Sequence, residues 1–133
     1  MSEQRFWLAA GAISGLVAVA AGAFGAHALK DLPPRYLDVF KTGAQYQMYH
    51  ALALLAVAWL GRGRWTQGAG SCFLLGTLIF SGSLYVLALT QVDRWGAVTP
   101  IGGGLFLVGW LMLAVGGLRR HKSPNGATSD RRS

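Results

Sequence analysis

The sequence FWLAAGAISGLVAVAAGAFGAHAL, residues 6–29, contains no Asp, Glu, Lys or Arg. An uninterrupted apolar run of this length can cross a bilayer as a helix, because roughly 20 helical residues span a hydrocarbon core of about 30 Å. The run is continuous rather than alternating, which disfavours the strands of a membrane β-barrel. The segment therefore predicts a first transmembrane helix over about residues 6–28.

Three further windows, residues 42–61, 65–92 and 95–118, also lack charged side chains. They predict helices over about residues 43–60, 68–90 and 100–118. We therefore expect an all-α membrane protein with four transmembrane helices in an antiparallel bundle, forming one domain over residues 1–120. Residues 121–133 are polar and are expected to form a disordered cytoplasmic tail. The N-terminal run resembles a signal peptide, but it is longer than a signal core, so we expect an uncleaved helix.

The charged residues lie in the connections between these windows. The chain is 53% hydrophobic and only 13% charged, with a net charge of +7. Because the basic residues flank predicted spans, they indicate membrane orientation rather than a nucleic-acid-binding surface. Eight of the 12 Lys and Arg residues fall on the side of the two termini, which predicts that both termini are cytoplasmic: Arg5, Arg62, Arg64, Arg119, Arg120, Lys122, Arg131 and Arg132.

Glycine recurs at helical spacing in the first and fourth predicted helices. Small residues along one face let a neighbouring helix approach closely inside a bilayer, and a seven-residue spacing is typical of a left-handed helix pair. A four-helix bundle is not expected to use both glycine seams internally, so one seam is predicted to meet a partner. The first seam consists of Gly11, Gly15, Gly22 and Gly25, and the second of Gly102, Gly109 and Gly116.

The connections carry prolines and tryptophans with positional meaning. Pro33 and Pro34 end the first helix and start an amphipathic turn at the membrane interface, which leads into the second helix. Trp7 is expected to lie at the inner interface, where Trp59 and Trp65 are expected to act as anchors.

Polar side chains within the predicted spans concentrate in the outer half of the membrane. They need hydrogen-bond partners there, because hydrocarbon offers none. Counting depth at about 1.5 Å per residue brings residues of all four helices to this end. The resulting candidate cluster or pocket comprises His27, Gln45, Tyr46, Gln47, Tyr49, His50, Ser81, Ser83, Tyr85 and Thr99.

Two interpretations of this cluster stay open. In the first, the side chains bond one another and fix helix register, at about 0.6 to 2 kcal/mol per bond. In the second, they line an outward-facing pocket for a small molecule, a lipid headgroup or a quinone. Depth counting also predicts that His50 hydrogen-bonds to Ser81, to Tyr85 or to a water between them.

No catalytic, cofactor or metal site is predicted. His27 and His50 lie at different depths, which disfavours a haem between them, and with Met48 they supply too few metal ligands. The windows lack the carboxylate that proton-coupled transport normally uses, which leaves a histidine relay as the only option of that kind. Cys72 is the only cysteine, so an intramolecular disulfide is excluded. We therefore expect that the chain is not an enzyme.

Five blocks follow one another within residues 6–118: GAFGAH (22–27), YQMYHAL (46–52), FSGSLY (80–85), TPIGG (99–103) and GW (109–110). Together they resemble the small YgdD-like membrane proteins, known as domain of unknown function 423, whose eukaryotic relatives include transmembrane protein 256. The resemblance implies a multi-pass protein of the bacterial inner membrane without an established biochemical activity. It therefore supports the fold and the location and leaves the function open.

Two functional hypotheses follow from these observations. The first is a non-enzymatic accessory or assembly partner of a larger membrane complex, which packs through its glycine seams against another membrane protein or a second copy of itself in the lipid bilayer. The alternative is a membrane protein that binds a small molecule, a lipid or a quinone in the outer-half pocket, for example as a dimeric transporter.

Overall fold

The computed structural model describes residues 2–121, and the regular structure in that range is helical. The predicted all-α fold is thereby confirmed. The predicted disordered tail was residues 121–133; His121 is the last residue of α4, and residues 122–133 lie outside the described range. The elements are α1 (Glu3–His27), α2 (Pro34–Leu60), α3 (Arg64–Thr90), a 3-10 helix (Asp93–Ala97) and α4 (Thr99–His121).

The second helix begins well before its predicted start. Pro34 follows the N-cap residue Pro33, where the missing amide hydrogen costs nothing and the fixed φ of proline suits a helix. The amides of Tyr36 and Leu37 both donate to the carbonyl of Pro33, and the helix then continues to Leu60 without interruption. The predicted amphipathic turn is therefore not a separate element but the first turns of α2.

Three of the four α-helices are long and apolar enough to cross a membrane, namely α1, α3 and α4 with its preceding 3-10 helix. α2 has the same length as α3, 27 residues, but it is not among them. The physical reason is local, because Gln45, Gln47 and His50 lower the hydropathy of its first half.

The helices pack in chain order. α2 and α3 form the central pair, α1 packs on α2, and α4 packs on α3. Consecutive helices are antiparallel, since Gly25 near the end of α1 meets Phe40 near the start of α2, while Gly11 meets Leu55. The bundle thus has a terminal end, where α1 begins, α4 ends and α2 turns into α3, and an opposite end with the other two connections. Its apolar core centres on the fully buried Leu54, Val57 and Phe73.

The first glycine seam is used inside the chain. A Cβ on Gly11 would lie 2.8 Å from Cδ2 of Leu55, and one on Gly25 would lie 3.0 Å from the ring of Phe40, both on α2. Gly15 has only an ordinary contact with Ala51 of α2, and Gly22 faces open space.

The second glycine seam is also used inside the chain. A Cβ on Gly102 would lie 2.8 Å from the Cα of Phe80, one on Gly109 would lie 2.6 Å from Cε1 of Phe73, and one on Gly116 would lie 3.0 Å from Cβ of Trp65. Both seams thus have close contacts within the chain, because α2 and α3 each receive one flanking helix, and Gly22 is the seam residue that stays open.

The tryptophans at the terminal end differ in their roles. Trp59 is 84% exposed, as expected for an interfacial anchor, and Trp65 is half-buried. Trp7 is only 5% exposed, its Nε1 donates to Oε1 of Gln67 at 2.6 Å, and its ring packs on Gly70 of α3. Gly70 leaves room for the indole inside the bundle, so Trp7 packs between helices at the terminal end.

Candidate functional site

The predicted polar cluster divides into separate groups, and the exposure of its members shows the division. Gln47, His50, Ser81 and Ser83 are buried, and Tyr85 and Thr99 are half-buried. The other four side chains are exposed: His27, Gln45, Tyr46 and Tyr49.

Gln47 connects three helices. Its Nε2 donates to the backbone carbonyl of Ser14 on α1 at 3.2 Å, and its Oε1 accepts from the hydroxyl of Tyr85 on α3 at 2.6 Å. Close by, the hydroxyl of Ser81 donates to the carbonyl of Gly43 on α2 at 2.7 Å. Gly43 has to be small, because a Cβ there would lie 3.0 Å from the ring of Tyr85. This group is a set of mutually satisfied cross-helix bonds.

His50 has other partners than the predicted ones. Its Nδ1 lies 2.7 Å from the carbonyl oxygen of Tyr46, and its Nε2 lies 3.2 Å from Nε1 of Trp110 on α4. Its ring stacks on Phe106, with centroids 3.5 Å apart and planes 6° from parallel. The predicted bond to Ser81 or Tyr85 is wrong, because those hydroxyls are turned to α2 carbonyl and amide oxygens and His50 faces α4.

The hydrogen bonds of His50 fix the position of its ring proton. A carbonyl only accepts and an indole N–H only donates, so Nδ1 carries the hydrogen and Nε2 offers its lone pair to Trp110. The side chain is 4% exposed. With both ring nitrogens engaged, the ring serves as a connection between α2 and α4 and has no free nitrogen for a metal.

The remaining members lie at the edges of the bundle. The hydroxyls of Ser83 and Thr99 lie 2.7 Å apart and join α3 to the start of α4. On the exposed side of α2, Nε2 of Gln45 donates to the hydroxyl of Tyr49 at 2.5 Å. His27 is exposed at the last position of α1, apart from the other residues of the cluster.

An ion pair closes the opposite end of the bundle. Nη2 of Arg35 lies 3.1 Å from Oδ1 of Asp93, and the hydroxyl of Tyr36 donates to the same oxygen at 3.4 Å. Both charged side chains are exposed, so the pair contributes little to stability. Its position shows that the first and third connections lie at the same end of the bundle, as the antiparallel arrangement of the helices requires.

Sequence reasoning missed three contributors to the polar contacts. Trp110 and Phe106 complete the surroundings of His50, and the block GW at 109–110 was the available signal for Trp110. Arg120 was assigned only to the charge asymmetry. Its guanidinium donates to the carbonyl oxygens of Leu60 and Arg62, each at 3.2 Å, and so caps the end of α2.

Two buried hydroxyls have no hydrogen-bond partner in the described part of the chain, those of Ser14 and Thr77. Across residues 2–121, no group of three or more His, Cys, Asp or Glu side chains is placed to hold a metal ion. The polar side chains between the helices thus form cross-helix hydrogen bonds, and His50 adds aromatic stacking.

A family model described as "Protein of unknown function (DUF423)" matches residues 21–103. The chain belongs to the DUF423 family. The UPF0382 membrane protein YwdK of Bacillus subtilis is 46% identical over 122 residues, which cover 87% of this DUF423 chain and 98% of the relative. The UPF0382 inner membrane protein YgdD of Escherichia coli K12 is 44% identical over 120 residues, which cover 87% and 92% of the two chains. No solved structure matches.

The comparison confirms the family resemblance drawn from the five sequence blocks. Four of the blocks lie within the matched range, and they contain Gln47, His50, Ser81 and Tyr85. Because these relatives are named membrane proteins, this DUF423 chain is a membrane protein, and its biochemical activity is not established.

Proposed function

We propose that the chain is a four-span protein of the bacterial inner membrane, with both termini in the cytoplasm, that acts without enzymatic activity as an accessory or assembly partner of a larger membrane complex. The length of α2 and its position between α1 and α3 support a fourth span, since its polar side chains Gln47 and His50 are satisfied inside the bundle. The excess of basic residues at the terminal end supports the orientation.

The observation that carries this proposal is a polar surface on the membrane-facing side of α2. We call it the Gln45 face, and it consists of Gln45, Tyr46 and Tyr49. Tyr46 is 40% exposed and Tyr49 is 48% exposed. The Gln45 amide donates to Tyr49, but the Tyr46 hydroxyl forms no hydrogen bond to another described residue. Polar capacity is therefore left over on a surface that faces the membrane.

Such a surface is costly against hydrocarbon and favourable against another protein. Polar side chains in spans normally face the protein interior or a partner, and they hydrogen-bond across helices. Leu52 lies seven residues after Gln45 on the same side of α2 and is also exposed, so the surface continues as an apolar stripe. A transmembrane helix of another protein, with its own polar group level with Gln45, fits this face.

The glycine seams of α1 and α4 are not the surface through which a partner protein would bind. Because Gly11 and Gly25 pack on α2, and the Gly102 to Gly116 seam packs on α3, the close contacts of both seams lie within the chain. The Gln45 face takes their place as the contact surface.

The alternative, a ligand pocket in the outer half, has less support. The buried members of the polar cluster spend their hydrogen bonds on one another and on the backbone. A groove of about 380 Å³ does border Tyr85, between α1 and α3, but its other walls are apolar, including Phe24, Phe40 and Leu89. Such walls suit the chain of a lipid or a quinone, so this groove supports only that form of the alternative and not a polar small molecule.

Photo-crosslinking in living cells tests the proposal. A photoreactive side chain is placed at Leu52, beside the Gln45 face, and at Leu16 on α1, which is also exposed and lies at a similar depth because its neighbour Gly15 meets Ala51. We expect Leu52 to yield one protein adduct of defined mass and Leu16 to yield lipid adducts.

The same crosslinker is then used in a Gln45→Leu, Tyr49→Phe double variant, which keeps the shape of the face and removes most of its polarity. Loss of the Leu52 adduct from a normally inserted double variant supports the proposal. Three results contradict the proposal: Leu52 yields lipid adducts alone, Leu16 yields protein adducts equal to those of Leu52, or the double variant leaves the Leu52 adduct unchanged. An adduct to a second copy of the chain would indicate a homo-oligomer instead of an accessory role.

A further inference from the structure

Two arginines share one tryptophan at the terminal end of the bundle. The guanidinium carbon of Arg64 lies 5.3 Å from the centroid of the Trp65 ring, and that of Arg119 lies 5.1 Å from it. Arg64 is the first residue of α3 and Arg119 lies in the last turns of α4, so the two cations come from different helices. Gly116 allows this meeting, because Cβ of Trp65 packs directly against it.

Neither of these arginines has an acidic partner in the described part of the chain, where the ion pair that forms is Arg35 with Asp93 at the opposite end. Arg120 provides the contrast, since its guanidinium is engaged with the carbonyl of Leu60 and the hydroxyl of Thr66. Arg64 and Arg119 are both exposed and hold two like charges around one ring. An anion beside this ring would be attracted by both cations.

The start of α3 adds to the positive potential. Its N-cap residue is Gly63, which has no side chain to accept from the free amides of the first turn. Unsatisfied amides at a helix N-terminus, together with the helix dipole, favour negatively charged groups such as phosphate.

An apolar groove of about 260 Å³ continues from these charges along the bundle. Arg64, Trp65 and Met112 line it, so it combines a cationic, an aromatic and an aliphatic side chain. Gly68 shapes it, because the absence of a side chain there lets the Met112 side chain lie against α3. Tryptophan and arginine at a helix end mark the headgroup level of a membrane.

We propose that Arg64, Trp65 and Arg119 bind the phosphate of an anionic phospholipid, with one acyl chain in the groove beside Met112. A zwitterionic lipid fits less well, because its own cation would face two unpaired guanidiniums. A free phosphate would satisfy the charges but leave the apolar groove empty. The site rests on α3 and α4 and is independent of the Gln45 face.

Native mass spectrometry of the full chain, released from nanodiscs that contain equal amounts of phosphatidylglycerol and phosphatidylcholine, tests the site. We expect phosphatidylglycerol to be retained preferentially. The double variant Arg64→Gln, Arg119→Gln should lower that preference about tenfold, since each basic residue near an anionic lipid contributes measurably to its binding. The matched control Lys30→Gln, Arg94→Gln removes two charges from the opposite end and should keep the preference.

Two further measurements distinguish the contribution of the acyl chain to binding from that of the charge. Met112→Trp fills the groove without changing the charge and should reduce retention, whereas Met112→Leu should not. Inorganic phosphate, added to chain in phosphatidylcholine alone, should not raise the melting temperature, whereas phosphatidylglycerol should. Four results would each overturn the proposal. The arginine double variant could keep the full preference for phosphatidylglycerol, or the charge control could lose it equally. Met112→Trp could leave lipid retention unchanged, or inorganic phosphate could raise the melting temperature as much as phosphatidylglycerol does.

Discussion

At the scale of single residues, Gln47 is the side chain with the most cross-helix connections. It has one amide group, and both ends of that group are used, the nitrogen by α1 and the oxygen by α3. Removing it leaves the hydroxyl of Tyr85 without its acceptor inside the bundle, and the carbonyl of Ser14 loses its second donor while keeping its bond within α1. The cost of such an orphaned group exceeds the value of the bond itself.

We therefore predict that Gln47→Leu lowers the free energy of unfolding by about 1 to 3 kcal/mol. Thermal unfolding in a mild detergent, followed by circular dichroism, measures the change. Gln45→Leu is the matched control, because it replaces the same residue type on the same helix at an exposed position, and it should cost much less. If the two variants melt together, the three-helix connection carries no stability.

A double-mutant cycle refines this prediction. Tyr85→Phe removes the donor to Gln47, so its cost should largely disappear in a Gln47→Leu background. Fully additive costs would show that the two side chains do not act through their mutual bond.

The depth of these residues was predictable, and their direction was not. Counting from the helix ends brought Gln47 and Tyr85 to the same end of the bundle, where the hydroxyl of Tyr85 donates to Gln47. Gln47 and His50 are only three residues apart, yet Gln47 turns to α1 and α3 while His50 turns to Trp110 on α4. A central helix has neighbours on several sides, so the angular offset of about 60° between positions i and i+3 suffices to give them different partners.

At the scale of elements, α4 shows which glycines set a helix contact. Gly102 lies against the backbone of Phe80, whereas a Cβ on Gly104, two residues later, would have no neighbouring atom within 4 Å. Backbone atoms cannot rotate aside as a side chain can. Spacing in the sequence found Gly102, Gly109 and Gly116 but did not reveal that their partner is α3 of the same chain.

Gly102→Ala should therefore force α4 away from α3 and destabilise the fold by about 1 to 3 kcal/mol, the usual cost of overpacking. Gly104→Ala in the same helix should be neutral or slightly stabilising, because alanine favours helix more than glycine does. The melting temperatures of the two variants provide the measurement. Equal destabilisation would mean that helix flexibility, and not the close contact, requires glycine at these positions.

The helix boundaries show a second limit of prediction from sequence. Charge-free windows locate the membrane-spanning cores, but a helix continues into the interface until something stops it. In α2, Pro34 starts the helix nine residues before the predicted Gly43, and Gly61 with a φ of 78° ends it close to the predicted end. Breakers at both ends define the element better than charge does.

At the scale of the whole molecule, the polar contacts are distributed unevenly. The hydrogen bonds of Gln47 and Ser81 lie towards the opposite end, and Arg64 and Arg119, which form no ion pair within residues 2–121, lie at the terminal end. The charge asymmetry was readable from the sequence, because it depends only on which connection holds each residue. Two lateral surfaces were not readable from the sequence, namely the Gln45 face and the groove lined by Arg64, Trp65 and Met112. They depend on which side of a helix its neighbours leave uncovered.

The charge asymmetry leads to the last prediction, that both termini lie in the cytoplasm. Lys and Arg beside a span are retained on the cytoplasmic side during insertion, and the terminal end holds more of them. Single cysteines in a Cys72→Ser background report the outcome. Gln91→Cys, exposed in the third connection and neutral in charge, should react with a membrane-impermeant thiol reagent in intact cells, while a cysteine added after Ser133 should react only after lysis. The reverse pattern would invert the proposed orientation and place the Arg64 and Arg119 site in the other leaflet.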